Sequence, residues 1–141
     1  MKFLVIGLGI FGQTLAQRLT DNGHEVIGVD INSHRVEEIK DRVAFAYIMD
    51  ATDAFALRSL SFDDIDRTIV AIGQSMDHSL RIVATLKQMK IDNVYARALD
   101  SVHKSILEAM GITKIFIPES YAGNMFADKF GQEDVTAEEL L

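Results

Sequence analysis

Short apolar runs alternate along the chain with stretches in which apolar residues recur every three or four positions. The runs, each predicted to form a β-strand, are Lys2–Ile6, Glu25–Val29, Ala44–Ile48, Thr68–Ile72, Asn93–Arg97 and Thr113–Ile117. Several are apolar at nearly every residue, which is typical of parallel strands covered by helices on both faces. The alternation predicts an α/β fold: a doubly wound, six-stranded parallel sheet in a three-layer α/β/α arrangement.

Turn and capping residues support these limits. Asn22-Gly23 is predicted to end the first helix, and Asp100 or Ser101 to cap the fifth. Pro118 suits the first turn of a final helix that runs to about Phe130. The remaining residues, 132–141, are polar and acidic. We therefore predict one domain over residues 1–131, followed by a tail or linker.

Composition narrows the class of protein. The 141 residues are 48% hydrophobic and 25% charged, as in soluble globular domains. The longest apolar run, Phe3–Phe11, is far shorter than the roughly 20 residues of a membrane span, so we expect no direct membrane insertion. A net charge of −7 without a basic patch disfavours nucleic acid as a partner. The lack of cysteine fits a reducing, cytoplasmic location.

A glycine-rich motif, Gly7-Leu-Gly9-Ile-Phe11-Gly12, follows the first strand and leads into the first helix. Gly7 permits a tight turn, Gly9 lets a phosphate approach the backbone, and Gly12 lets the helix pack against the sheet. Free N–H groups at the helix start would face the anion. The motif predicts a Rossmann-type nucleotide site with these glycines and Phe11 in contact with the ligand; a glycine turn without a ligand is the alternative.

Asp30 ends the second strand, where a Rossmann unit places the carboxylate that binds the adenosine ribose. It would repel a 2′-phosphate, which favours NAD(H) or an adenine nucleotide over NADPH. Arg35 could accommodate such a phosphate or be a solvated helix side chain. Asn32 could assist at the ribose or cap the helix that begins near Ser33.

Residues after the third, fourth and fifth strands are further candidates, because ligands bind at the carboxyl ends of parallel strands. Asp50 could bind an adenine amino group or cap the next helix, for which Thr52 is the stronger candidate. Gly73 permits close approach to a ligand or simply forms a turn. Arg97 is predicted to point toward the phosphates. The His103 side chain could also face the phosphates, and the phosphate charge would then favour its protonated form.

Signatures of catalysis are missing. None of Tyr47, Tyr95 and Tyr121 has a lysine four positions later, no serine lies in a G-x-S-x-G elbow, and the histidines form no i, i+4 pair for a metal. His78, at the start of a helix, could reach the site or lie on the surface. We predict neither a catalytic nor a metal site, and a protein that is not an enzyme.

Five motifs together give the chain a family resemblance. They are Gly7-Leu-Gly-Ile-Phe-Gly12, Val29-Asp-Ile-Asn32, Asp50-Ala-Thr-Asp53, Tyr95-Ala-Arg97 and Ile117-Pro-Glu119. From about Lys2 to Phe130 the sequence resembles the KTN, RCK N-terminal or TrkA-N domain of Trk- and Ktr-type potassium-uptake regulators. The resemblance implies a cytosolic module that binds NAD(H) or ATP/ADP, forms a homodimer that assembles into a ring, and gates a membrane potassium channel or transporter subunit from the inner face of the membrane.

By position, the resemblance also implies which residues line the nucleotide site. They are Ile10, Asp30, Ile31, Asn32, Asp50, Ala51, Ile72, Gly73, Gln74, Arg97, Ala98, Leu99, His103 and Glu119. Many ATP-responsive Ktr-type members have arginine where Ile10 stands, so the expected ligand is NAD(H), ADP or AMP. Only about ten residues follow the final helix. We therefore expect either that the C-terminal ligand-sensing lobe of the family lies outside this sequence or that the domain acts as an isolated N-lobe with a separate partner.

The sequence leaves open two other functions and two alternative roles for the final helix. The chain could be the cofactor-binding fragment of an NAD-dependent dehydrogenase, or an NAD-sensing scaffold unrelated to ion transport. An apolar stripe on the final helix could pack on the sheet or form a dimer contact; it comprises Tyr121, Met125, Phe126 and Phe130.

Overall fold

A computed structural model describes the whole chain, residues 1–141. The strands are β1 (Lys2–Ile6), β2 (Glu25–Asp30), β3 (Phe45–Ile48), β4 (Arg67–Val70), β5 (Val94–Arg97) and β6 (Lys114–Phe116). The α-helices are α1 (Ile10–Asp21), α2 (Ser33–Ile39), α3 (Ala54–Arg58), α4 (Met76–Gln88), α5 (Ser101–Ala109) and α6 (Pro118–Phe130). Two 3₁₀ helices complete the chain, at Phe62–Asp64 and Ala137–Leu140. The predicted α/β alternation is confirmed, with strand limits shifted by one or two residues.

The six strands form one parallel sheet in the order β3-β2-β1-β4-β5-β6. After β1 the chain builds outward in one direction through β2 and β3, and it then crosses to the other side of β1 to add β4, β5 and β6. The carboxyl ends of β1 and β4 therefore lie at the point where the winding reverses, the place at which open α/β sheets bind ligands. The predicted doubly wound Rossmann-type fold is confirmed.

Two apolar layers hold helices against the sheet. Because successive strand residues point to opposite faces, Leu4 and Ile6 of β1 belong to one layer, and Phe3 and Val5 to the other. The first layer includes residues of α3, α4 and α5, and the second includes residues of α1 and α2. The near-continuous apolar character of β1 thus follows from its position between two buried faces.

Helix α6 departs from this scheme. None of its residues is buried, and its main contacts within the chain are with the 3₁₀ helix Ala137–Leu140. The side chains of its apolar stripe, Tyr121, Met125, Phe126 and Phe130, are all exposed. Packing of this stripe against the sheet, one of the two interpretations above, is therefore wrong. None of the helices combines the length and apolar character that a membrane span requires.

The glycine motif has the geometry that its spacing predicts. Gly7 has a φ of +102°, which L-residues with a side chain rarely adopt, and it turns the chain out of β1. A Cβ at Gly12 would overlap the carbonyl oxygen of Gly7, so the start of α1 lies directly against this turn. Gly12 is therefore a packing residue.

We predict that Gly12→Ala lowers the free energy of unfolding by about 1–3 kcal/mol or more, because α1 must move away from the Gly7 turn. Gly123→Ala is the matched control: it lies inside α6 with no atom within 4 Å of its added Cβ. That change should raise helix stability by roughly 0.5–1 kcal/mol. Urea unfolding measures both, and equal effects of the two substitutions would contradict the packing role of Gly12.

Candidate functional site

A cavity of about 360 Å³ opens at the carboxyl ends of β1, β2, β3 and β4, where the winding reverses. The predicted site residues that line it are Gly7, Asp30, Ile31, Asp50, Ala51, Ile72, Gly73 and Gln74. Its polar lining also includes Arg35, Thr52, Ser75 and His78. The predicted residues that are not part of this lining are Gly9, Ile10, Phe11, Gly12, Asn32, Arg97, Ala98, Leu99, His103 and Glu119.

The start of α1 presents free hydrogen-bond donors beside this cavity. Gly9 precedes the helix, has an ordinary φ of −68° and provides no side-chain cap. The backbone N–H groups of Ile10, Phe11 and Gly12 donate no hydrogen bond within the chain. Such groups at a helix N-terminus, together with the helix dipole, attract an anion. The side chain of Ile10 points into solvent and is 92% exposed.

Asp30 joins the glycine loop to the end of β2. Its side chain is almost fully buried. Its Oδ2 accepts a hydrogen bond from the Leu8 N–H (2.7 Å), and its Oδ1 accepts one from the Asn32 N–H (2.8 Å). The Asn32 side chain in turn accepts from the N–H groups of His34 and Arg35. The capping role of Asn32 is confirmed.

Arg35 contacts Asp30 from the first turn of α2. The distance between its Nη1 and Asp30 Oδ2 is 3.6 Å, and its side chain is 37% exposed. Arg35 also lines the cavity, so its side chain is only partly solvated. The sequence did carry a signal for this position, since a nearby arginine in a Rossmann unit can accommodate a 2′-phosphate.

The loop after β3 is closed by its own hydrogen bonds. Asp50 Oδ1 accepts from both the N–H and the hydroxyl of Thr52, at 3.0 and 2.6 Å. Asp53 caps α3 by accepting from the Phe55 N–H at 2.9 Å. The prediction that Asp50 or Thr52 caps this helix is wrong. Both residues instead line the cavity.

Arg97 lies beside Phe11 and Gly73 and is not itself part of the cavity lining. Its guanidinium pairs with the Glu119 carboxylate at the start of α6 and lies 5.3 Å from the centre of the Phe11 ring. A Cβ at Gly73 would come within 2.6 Å of Arg97 Nη1, so this glycine makes room for the guanidinium. The N–H of Glu119 itself, and then Arg97, lower the pKa of the Glu119 carboxyl. Arg97 thereby connects β5, α1 and α6.

The sequence matches the profile of the TrkA-N domain over residues 3–118. The chain belongs to the TrkA-N domain family. This confirms the resemblance that the five motifs indicate.

Curated relatives of this TrkA-N domain include two Ktr proteins. The chain is 35% identical over 134 residues to Ktr system potassium uptake protein A of Bacillus subtilis (strain 168), covering 95% of this chain and 60% of that protein. It is 33% identical over 128 residues to the Ktr system potassium uptake protein A of Vibrio alginolyticus, covering 91% and 58%. The chain thus spans about three-fifths of the length of these relatives.

Solved structures share its fold. The NAD(P)-binding domain of an exopolyphosphatase-related protein from Archaeoglobus fulgidus superposes with a TM-score of 0.77 at 27% identity, covering 91% of this chain and 96% of that one. The Shewanella denitrificans Kef CTD in AMP-bound form has a TM-score of 0.75 at 20% identity, covering 94% and 84%. GsuK bound to ADP has a TM-score of 0.76 at 18% identity, covering 94% and 35%.

In this TrkA-N domain, His103 is fully buried, as is Ala98, so neither side chain presents surface to the cavity. Their contact with a nucleotide stays a prediction. Nδ1 of His103 accepts a hydrogen bond from the Leu99 N–H at 2.9 Å. Nε2 must therefore carry the ring proton, and it donates to the Ser79 hydroxyl at 3.1 Å.

This hydrogen bonding requires a neutral ring, because protonation of Nδ1 would place two N–H groups against each other. Burial lowers the pKa of His103, and the nearby Asp100 opposes that shift only in part. The free chain therefore favours a neutral His103, and a protonated ring beside phosphate stays a prediction. The sequence places His103 in the first turn of a helix near the site, but the direction of its ring depends on Ser79, which lies 24 residues earlier.

We predict that His103 makes the domain less stable at acidic pH. With a pKa lower in the folded than in the unfolded chain, its contribution is complete above about pH 6.5 and is lost as pH falls, by at most about 1.4 kcal/mol per pH unit. The stability difference between the wild type and His103→Asn should therefore shrink between pH 7.5 and 5.5. Urea unfolding at each pH measures it.

His34→Asn is the control for this titration, because the His34 side chain is 82% exposed. Its unfolding free energy should follow that of the wild type within about 0.5 kcal/mol across the range. A constant difference between the wild type and His103→Asn would contradict the neutral, buried ring.

Proposed function

We propose that this TrkA-N domain is a cytosolic regulatory module that binds NAD(H) or an adenine nucleotide and thereby controls a membrane potassium channel or transporter subunit. The observation that carries the proposal is the cavity at the reversal of the sheet. There, free N–H groups at the start of α1 face the same edge as the Asp30 carboxylate. This combination suits the phosphates and the ribose of a nucleotide.

The choice of ligand rests on the glycine loop and on the fold relatives. Those relatives are an NAD(P)-binding domain, a Kef domain in AMP-bound form and GsuK bound to ADP. Position 10 holds an exposed isoleucine and offers no cation to a third phosphate. NAD(H), ADP and AMP are therefore the favoured ligands, and ATP is expected to gain little from its γ-phosphate.

The link to potassium transport rests on the Ktr relatives, which are named as potassium uptake proteins. In this proposal the domain acts at the inner face of the membrane through a separate membrane subunit. Nucleotide binding at the carboxyl edge of the sheet would reach that subunit through α6, whose first turn is attached to the glycine loop by Glu119, Arg97 and Phe11.

The proposed module binds its ligand without catalysing a reaction. The cavity lining contains no cysteine, lysine or tyrosine. Ser79 and His103, which would otherwise suggest a nucleophile and its base, are both fully buried. A hydrogen bond closed off from the cavity supports a structural role for this pair.

A second copy of the chain is the partner that best fits α6. This helix carries four exposed apolar side chains, and Phe126 stacks on Phe130 with ring centres 6.0 Å apart. On the face that α1 and α2 cover, Tyr95 and Phe116 of β5 and β6 remain only partly buried. We propose a homodimer in which α6 covers apolar surface of the second chain, with such dimers forming a ring.

Nucleotide binding is tested by calorimetric titration with NADH, NAD, ADP, AMP and ATP. We predict binding by the wild type, and an affinity at least tenfold lower for Gly9→Ala. Within the free protein a Cβ at Gly9 has only Arg35 Nη1 as a neighbour, at 4.0 Å, and the φ of −68° accepts alanine. The variant should therefore keep its thermal unfolding midpoint while its methyl group blocks the phosphates. Absence of binding by the wild type would refute the proposal.

Dimer formation is tested by light scattering. The double substitution Tyr121→Glu/Phe130→Glu should give a monomer where the wild type gives a dimer or a larger assembly, because it places charges in the proposed contact. Val102→Glu on α5 is the control, since Val102 is also exposed, at 60%. A monomeric wild type, or an unchanged mass in the double variant, would contradict the α6 contact.

A further inference from the structure

We infer that Arg35 is the residue that binds the 5′-diphosphate of the nucleotide. The inference rests on the proposed nucleotide site and names the side chain that contacts the diphosphate there. No other arginine and no lysine lines the cavity.

The guanidinium of Arg35 lies between two parts of the site. Its Nη1 is 3.6 Å from Asp30 Oδ2, at the position that would bind the ribose. The same atom is 4.0 Å from the position that a Cβ on Gly9 would occupy, above the glycine that phosphates approach. A diphosphate lying across the glycine loop would therefore pass within reach of this cation.

The hydrogen-bond donors of Arg35 are available to a ligand. An arginine has five N–H donors, yet this guanidinium is close to Asp30 at a distance longer than a hydrogen bond and donates to no other group in the chain. Asp30 instead accepts its hydrogen bonds from two backbone N–H groups. A planar, forked donor held beside free backbone N–H groups suits two oxygens of a phosphate.

Arg97 does not provide this function, because its guanidinium already pairs with Glu119 and packs on Phe11. Ile10 cannot provide it either, so the glycine loop itself lacks a cationic side chain. Arg35 is held in place by α2, in which Val36 and Ile39 are buried and Asn32 caps the first turn. The cation that the loop lacks is thus supplied from the neighbouring helix.

The surroundings of Arg35 also favour contact with a 5′-diphosphate over contact with a 2′-phosphate. A 2′-phosphate would replace a ribose hydroxyl beside Asp30, and the carboxylate would repel it. The 5′-diphosphate would lie instead over the glycine loop, beside the free N–H groups at the start of α1. Arg35 is therefore assigned to the diphosphate that ADP and NADH share.

The experiment is a calorimetric titration of the full chain with adenosine, AMP, ADP, NADH and NADPH. Arg35→Gln should lower the affinity for ADP and NADH at least tenfold while adenosine binding changes less than threefold. Arg35→Lys, which keeps the charge without the planar fork, should recover part of the loss. Arg42→Gln is the control: it removes the same charge from a side chain that contacts Gln17 and not the cavity.

Each outcome of the titration supports or contradicts the assignment of Arg35 to the diphosphate. Unchanged ADP affinity in Arg35→Gln would overturn it, and so would an equal loss of ADP and adenosine, which would indicate that Arg35 merely supports Asp30. A loss confined to NADPH would instead assign Arg35 to a 2′-phosphate. If the wild type binds none of the ligands, the proposed function fails as well, which distinguishes that result from failure of the Arg35 assignment alone.

Discussion

The buried carboxylate of Asp30 is the contact on which the candidate site depends. It accepts the N–H of Leu8 from the glycine loop and the N–H of Asn32 from the turn into α2. Hydrogen bonds to a charged group each contribute about 1.5–3 kcal/mol. These two fix the glycine loop relative to α2, and they hold Arg35 where its guanidinium lies between Asp30 and Gly9. A change at Asp30 would therefore alter the ribose position, the loop and the cation together.

A second polar contact joins the same loop to the exposed helix. Arg97 packs on Phe11 in the first turn of α1 and pairs with Glu119 in the first turn of α6. Its Nε is buried without a hydrogen-bond partner, so the guanidinium is held by its neighbours at some cost. A ligand that shifts the start of α1 must disturb this arrangement. The candidate nucleotide site and α6 are therefore connected through the contacts of Arg97, although no residue of α6 lines the cavity.

The sequence predicted those features whose causes are local. Several buried parallel strands are apolar at nearly every residue, the glycine spacing requires a turn and a close approach, and Pro118 begins α6 where its fixed φ fits. Features that depend on the partner toward which a side chain points were not predicted. The ring of His103 points inward because it forms hydrogen bonds with the Ser79 hydroxyl and the Leu99 N–H. The Arg35 side chain points toward the cavity because it lies beside the Asp30 carboxylate. Helical periodicity gives the face of a residue but not these partners.

The apolar stripe of α6 is a second feature whose partner the sequence could not predict. Residues of a core and residues of an interface show the same apolar pattern in the sequence, because both kinds of contact remove apolar side chains from water. Burying a large apolar side chain contributes about 1.5–3 kcal/mol, and α6 obtains only part of this within the chain, since none of its residues is fully buried. Its helical conformation is therefore supported by the Pro118 start and by the 3₁₀ helix that follows, while its aromatic side chains stay available to another surface. In the proposed dimer that surface belongs to a second copy, so the nucleotide site and the assembly contact are connected through the ion pair formed by Arg97 and Glu119.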